Sequence, residues 1–166
     1  MSDLYNLEKL KKKLEEYKIE GEKEMYVFRG NMRYIISSSI FFIVTAFIAL
    51  YPFYKVMKGL EKLSPFKTFL SILLLVYVII SFTLLFKYKV VIEKNVITMG
   101  KIKVNMDEIV NATVKIDRIS FSRYDRCLEI ITEDKRRIKC RLNMGNMLLF
   151  LKLIQNSIGN KLKFKI

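Results

Sequence analysis

Two apolar blocks dominate the pattern of hydrophobic and polar positions. From Ile35 to Tyr54 the chain runs through 20 residues without a charge, and from Thr68 to Phe86 through another 19. At a helical rise of about 1.5 Å per residue, each block is about as long as the hydrocarbon core of a bilayer is thick. Buried helices of soluble domains seldom stay uncharged for that distance, so the pattern predicts a transmembrane hairpin with spans at 35–54 and 68–86. Arg33 and Lys55 bracket the first block, and Lys67 and Lys87 the second. Tyr34, Tyr51, Tyr54 and Tyr88 lie near the ends, where amphipathic rings favour the interface. Ser37–Ser39 and Thr45 are placed to bond to the preceding helical turn, and Thr45 with Ala49 gives one small-residue spacing for close helix packing. Neither span contains Asp, Glu, Lys or Arg, which argues against a proton relay or ion pathway built from this chain alone.

Ahead of the hairpin, Leu7, Leu10, Leu14 and Tyr17 recur at a spacing of three to four between Lys and Glu, predicting an amphipathic helix. Ser2 or Asp3 would cap it and Gly21 would end it. Three placements fit: packing on the C-terminal domain, lying on the bilayer with Lys9 and Lys11–Lys13 toward headgroups, or pairing with another subunit. A cleavable signal peptide fits poorly, because the first apolar run follows a long, charged, helix-prone segment.

After Phe86 the period changes from helical to alternating. Tyr88–Ile92 and Val96–Met99 read as strands around a turn at Glu93–Asn95. Gly100 allows a second turn before Ile102 and Val104, and Val110–Ile116 is a further β-rich run. Leu128–Thr132 and Arg137–Leu142 flank a polar turn at Glu133–Arg136 and form a hairpin. Parity sets its register. Pairing Leu128 with Cys140 puts Leu128, Ile130, Ile138, Cys140 and Leu142 on one inner face and sets Glu129 opposite Lys139 outside. Cys127 then points outward and Cys140 inward, so a disulfide between them is not expected. The stretch from Asp117 to Arg126 reads as irregular. The last element is a helix capped by Asn143, with Met147, Leu148, Leu151, Ile154, Gln155 and Ile158 along one stripe and Gly159-Asn160 as a stop.

The predicted fold class is therefore an α+β membrane protein: an amphipathic helix and juxtamembrane segment (1–33), a transmembrane hairpin (34–87), and a C-terminal domain (88–166). In that domain a curved antiparallel sheet or barrel is closed by a C-terminal helix.

Charge adds a direction. Residues 1–33 hold 8 basic and 7 acidic residues, whereas residues 87–166 hold 18 and 8. A basic domain tied to a membrane points to anionic headgroups before nucleic acid, for which no recognition motif is present. A chain rich in Lys, Ile and Asn throughout also produces such an excess by composition alone. Nine basic residues flank the hairpin, namely Lys18, Lys23, Arg29, Arg33, Lys87, Lys89, Lys94, Lys101 and Lys103. The connecting loop has four, a bias that favours both termini in the cytoplasm. Two cysteines and no histidine make no familiar zinc set and no CxxC pair, and reduced thiols suit a cytoplasmic face. No nucleophile motif, phosphate loop or metal-ligand spacing appears, and the usual general base is missing, so neither an enzyme nor a cofactor is expected.

The candidate site is basic. Arg118, Arg123 and Arg126 surround Tyr124 before the hairpin, and Lys135, Arg136, Arg137, Lys139 and Arg141 follow in its turn and second strand. Guanidinium forks and ammonium groups suit phosphate. The competing reading is a solvated strand face that keeps a tethered domain soluble.

In element order the chain resembles the bacterial pleckstrin-homology-like domains, small membrane-attached barrels or curved sheets closed by a C-terminal helix. The resemblance runs from about 87 to 160. It is carried by the strand at Lys87–Ile92, by Val96–Thr98 with Gly100, by the step through Asn105–Ile109, by the Asp125–Leu142 hairpin and by the Met144–Ile158 helix. The absence of Trp and the stretch at Asp117–Arg126 depart from it. The resemblance implies a binding or scaffolding module without catalytic residues, in a family that includes proteins linked to bacteriocin immunity. The expectation is a cytoplasm-facing, membrane-anchored module that contacts anionic lipid, a membrane protein partner or a second copy of itself. The alternatives are an accessory subunit of a larger membrane complex and an immunity protein against a membrane-active peptide.

Overall fold

The computed structural model describes residues 7–21, 23–62, 64–120 and 123–165, with the side chains of Ile119, Ser120 and Arg123 outside that description. The chain divides into two units. One runs from Gly30 to Tyr88; the other joins the residues up to Arg29 with those from Lys89 onward.

The first unit is a pair of helices, α2 (Met32–Met57) and α3 (Pro65–Lys87), each long and apolar enough to cross a membrane. α1 is the amphipathic helix Leu7–Glu16 of the other unit. Asn31 starts α2 by accepting the Arg33 N–H at 3.0 Å, and Pro65 opens α3, where its missing N–H costs nothing. The two helices pack through Ala49, Ser71 and Val78, and the Phe42 ring meets Tyr77 at 6.4 Å and Phe82 at 6.0 Å. The hydroxyls of Thr45 and Thr83 donate to the carbonyls of Phe41 and Ile79, so neither polar group is left open on an apolar helix. Most apolar side chains on these helices are exposed, among them Phe47 at 69% and Leu84 at 64%. A core helix of a soluble domain would bury them. In the connecting loop Glu61 bonds to both Lys55 and Lys67 at 3.2 Å, which offsets part of its positive charge.

The second unit holds two four-stranded sheets. β1 (Met25–Arg29), β2 (Lys89–Glu93), β3 (Val96–Met99) and β4 (Ile102–Asn105) form the first sheet as an antiparallel meander in chain order. β1 lies before the helical pair and β2 after it, yet they pair from Met25↔Glu93 to Arg29↔Lys89. The domain therefore takes in residues from both flanks of the hairpin, including a strand that reads in the sequence as juxtamembrane flank. The second sheet has the order β7-β6-β5-β8: β5 (Ile109–Ser120), β6 (Arg123–Thr132), β7 (Arg137–Arg141) and β8 (Leu162–Phe164). β8 pairs parallel to β5 after helix α4 (Met147–Ile158), so the helix is not the last element. No closed barrel forms among the described residues; the sheets remain separate.

Alternation builds the core. Phe28, Val90, Ile92, Ile97 and Val104 from the first sheet, and Ala112, Val114, Leu128, Ile130 and Cys140 from the second, are almost fully buried. α4 adds Phe150, Leu151, Ile154 and Ile158, and Phe28 meets Phe150 edge-on at 5.1 Å. The helix starts three residues later than Met144, because Met144 itself is buried at 3% and Asn146 takes a left-handed turn. Asn146, not Asn143, stands at the N-cap, and the buried stripe centres on Phe150 rather than on Met147 and Leu148. α1 buries Leu7, Leu10 and Leu14, and Lys152 Nζ donates to the Leu14 carbonyl at 3.1 Å, satisfying the C-terminal end of α1. Of the three placements for this helix, packing on the domain is the one observed. It ends at Glu16, before Gly21; Ser2 and Asp3 lie outside the described residues.

Candidate functional site

The predicted hairpin register is found: Leu128 pairs with Cys140, Glu129 with Lys139 and Ile130 with Ile138. Arg137, Lys139 and Arg141 consequently share the outer face of β7, where alternate residues are exposed. β6 and β5 complete that face. Lys115, Cys127 and Arg141 stand in one row, and Thr113, Glu129 and Lys139 in the next.

Two of the cations on this face, Lys115 and Lys139, are paired with acids. Lys139 Nζ donates to Asp117 Oδ2 at 2.6 Å, and Lys115 Nζ lies 3.1 Å from Glu129 Oε2 and 3.7 Å from Asp117 Oδ2. Glu129 and Lys139 are opposite in register, as the parity predicts, but each takes a diagonal partner on β5 instead. The Lys139 ammonium holds the Asp117 carboxyl below the usual carboxylate range, helped by the Arg118 N–H and by Lys115, against the opposing effect of burial. The same bond raises Lys139.

The Lys139–Asp117 pair reaches from β7 to β5 across the row that holds Cys127. This explains a departure from expectation. Cys127 does sit on the face opposite Cys140, but it is only 4% exposed, because longer charged side chains close over it. Burial first, and then Asp125 and Asp117, push its thiol up. Both cysteines are free thiols.

The remaining candidates lie elsewhere. In the turn, Lys135 takes a left-handed conformation (φ 60°), and Arg136 Nε is paired with Asp134, which also binds the Thr132 hydroxyl. That hydroxyl is the main reason the Asp134 carboxyl is lowered; Arg136 adds to it. Arg118 and Arg126 belong to the far ends of β5 and β6, with Arg118 opposite Tyr124 and Arg126 opposite Ile116. By parity they fall on the face of Val114 and Leu128, opposite that of Lys139. Arg123 begins β6. The stretch from Asp117 to Arg126 thus continues the β5–β6 ladder on both strands, apart from positions 121 and 122, which lie outside the described residues. The eight basic candidates do not converge on one site: they divide between the outer face of β7, a turn and a two-stranded extension.

Sequence reasoning missed the acidic partners. Asp117 and Lys115 share parity on β5, but linking them to Lys139 requires the β5–β6 register, which no turn signal supplies. Among the described residues no group of three or more His, Cys, Asp or Glu is placed to hold a metal ion. Comparison with protein-family models, with curated proteins and with solved structures gives no match.

Proposed function

We propose that this protein is a membrane-anchored binding module whose folded unit works at the headgroup layer of a bilayer, on the cytoplasmic side, in contact with anionic lipid. The observation that carries the reading is the Arg29↔Lys89 rung. Only Gly30 and Asn31 separate β1 from α2, and only Tyr88 separates α3 from β2. A module tied at both ends by one or two residues has no linker with which to leave the surface. Because the two strands are paired neighbours, both ends of the helical pair belong on one side, as an even number of crossings requires. The basic excess after the hairpin supports anionic lipid as the contact. The pleckstrin-homology-like reading belongs to the same proposal, supported by two strand meanders in chain order followed by a single buried helix.

The test is amide hydrogen exchange of the full chain in nanodiscs of neutral or anionic lipid, at low and high salt. Slower exchange in the sheets on anionic discs, reversed by salt, is the expected result. Exchange that ignores lipid charge would overturn the lipid contact.

A further inference from the structure

The outer face of the first sheet is unlike that of the second. Its rows read Met25, Glu93, Val96 and Asn105, then Val27, Val91, Thr98 and Lys103, then Arg29 and Lys89. An antiparallel sheet with one face on the core normally shows water a polar outer face. Here four of the outward positions are Met or Val, with Met25 53% and Val27 45% exposed, and Val91 and Val96 half-buried. Three cations, Arg29, Lys89 and Lys103, stand with them against a single carboxylate, Glu93, on the same face, and all four are exposed. Among the described residues no acid forms an ion pair with any of these three cations, in contrast to Lys115 and Lys139.

We infer that this face is the surface that docks on anionic lipid, with Val27 and Met25 entering the interfacial layer and Arg29, Lys89 and Lys103 meeting lipid phosphates. The inference rests on the membrane-anchored reading above. Two further observations favour this occupant. The charge sign is complementary to anionic headgroups, and the Arg29–Lys89 rung runs directly into the apolar helices on both strands. Apolar side chains ringed by Lys and Arg are the composition that binds an anionic interface.

The chain contains no Trp, so single-Trp variants report without background. Val27→Trp, Val110→Trp on the second sheet and Phe47→Trp in α2 would each be placed in full-length protein in proteoliposomes. The vesicles would be phosphatidylcholine with or without phosphatidylglycerol, carrying brominated acyl chains. The expected result is strong quenching and blue-shifted emission for Phe47→Trp in both lipids. Val27→Trp should be quenched at least twofold more in anionic than in neutral vesicles, and Val110→Trp left water-like in both. Replacing Arg29, Lys89 and Lys103 together by Ser should remove the lipid-charge dependence of Val27→Trp. A water-like, unquenched Val27→Trp beside a quenched Phe47→Trp overturns the docking face and leaves the anchor standing. Equal quenching of Val27→Trp and Val110→Trp overturns the choice of sheet. An unquenched Phe47→Trp overturns the anchor and the docking face together.

Discussion

The two sheets of the folded unit bury the same kind of inner face and present opposite outer ones. On the second sheet, Lys115, Lys139, Asp117 and Glu129 neutralise one another across three strands and close over Cys127. On the first, Met25, Val27, Val91 and Val96 face outward beside cations without matching carboxylates. Counting basic residues along the chain favours the second sheet, because Arg137, Lys139 and Arg141 alternate so clearly. The two faces carry similar net charge, and the first differs in setting the exposed Met25 and Val27 among its cations.

The sharpest way to break this comparison is within one strand. Phe28 and Val27 are neighbours on β1 with opposite roles. Phe28 is 3% exposed and packs against Phe150, so Phe28→Ala should cost about 3–5 kcal/mol in chemical denaturation. Leu14→Ala on α1, at 1% exposure, should cost about 2–5 kcal/mol if that helix is part of the unit. Val27→Ser should change stability by no more than about 0.5 kcal/mol while weakening the lipid dependence of hydrogen exchange. Equal losses for Phe28→Ala and Val27→Ser would erase the distinction between inner and outer faces.

Smaller effects separate the sheets by charge. Asp117→Asn removes the acid partner of Lys139 and one of the two acid partners of Lys115, and should strengthen a salt-sensitive attraction of the second sheet to anionic lipid. Nanodisc exchange with and without the substitution measures this. The pH dependence has a defined sign. Asp117 is lowered in the folded chain, so its contribution is complete above the ordinary carboxylate value of about 3.9 and is lost as pH falls through the lower folded value. Lys139 is raised, so its contribution is present below about 10.4 and lost as pH rises through the higher folded value. Carbon-detected titration of the Asp117 carboxyl, repeated with Lys139→Met, reads the first directly. Cys127, buried and with its thiol raised, should react with iodoacetamide at pH 8 many times more slowly in the folded chain than in denaturant. Mass spectrometry of the modified peptide resolves it from Cys140.

Much of this architecture is legible in the sequence, and the parts that are not share a cause. The apolar helices and the β6–β7 hairpin are written locally, the first by unbroken hydrophobicity and the second by alternation around a polar turn. β1 is not, because Met-Tyr-Val-Phe-Arg looks like the flank of a transmembrane helix and its partner strand lies beyond the whole hairpin. β8 is three residues long and gains meaning only from a parallel neighbour far upstream. The Asp117–Arg126 stretch gives no alternation, and none of its described side chains, Asp117, Arg118, Tyr124, Asp125 and Arg126, is buried. The basic candidates were visible as residue types, but their pairing was not, because Asp117 meets Lys139 only through a register set in three dimensions.

The most direct test of the account replaces residues 30–88 with Asn-Gly, joining Arg29 to Lys89 by the two-residue turn that antiparallel neighbours accept. If the folded unit is built from both flanks of the helical pair, this shortened chain should unfold cooperatively, with β1 and β2 amides protected from exchange alongside those of the second sheet. A chain beginning at Lys89 should lack that cooperativity. A shortened chain whose β1 amides exchange as freely as an unfolded segment, while the rest stays protected, would contradict the account.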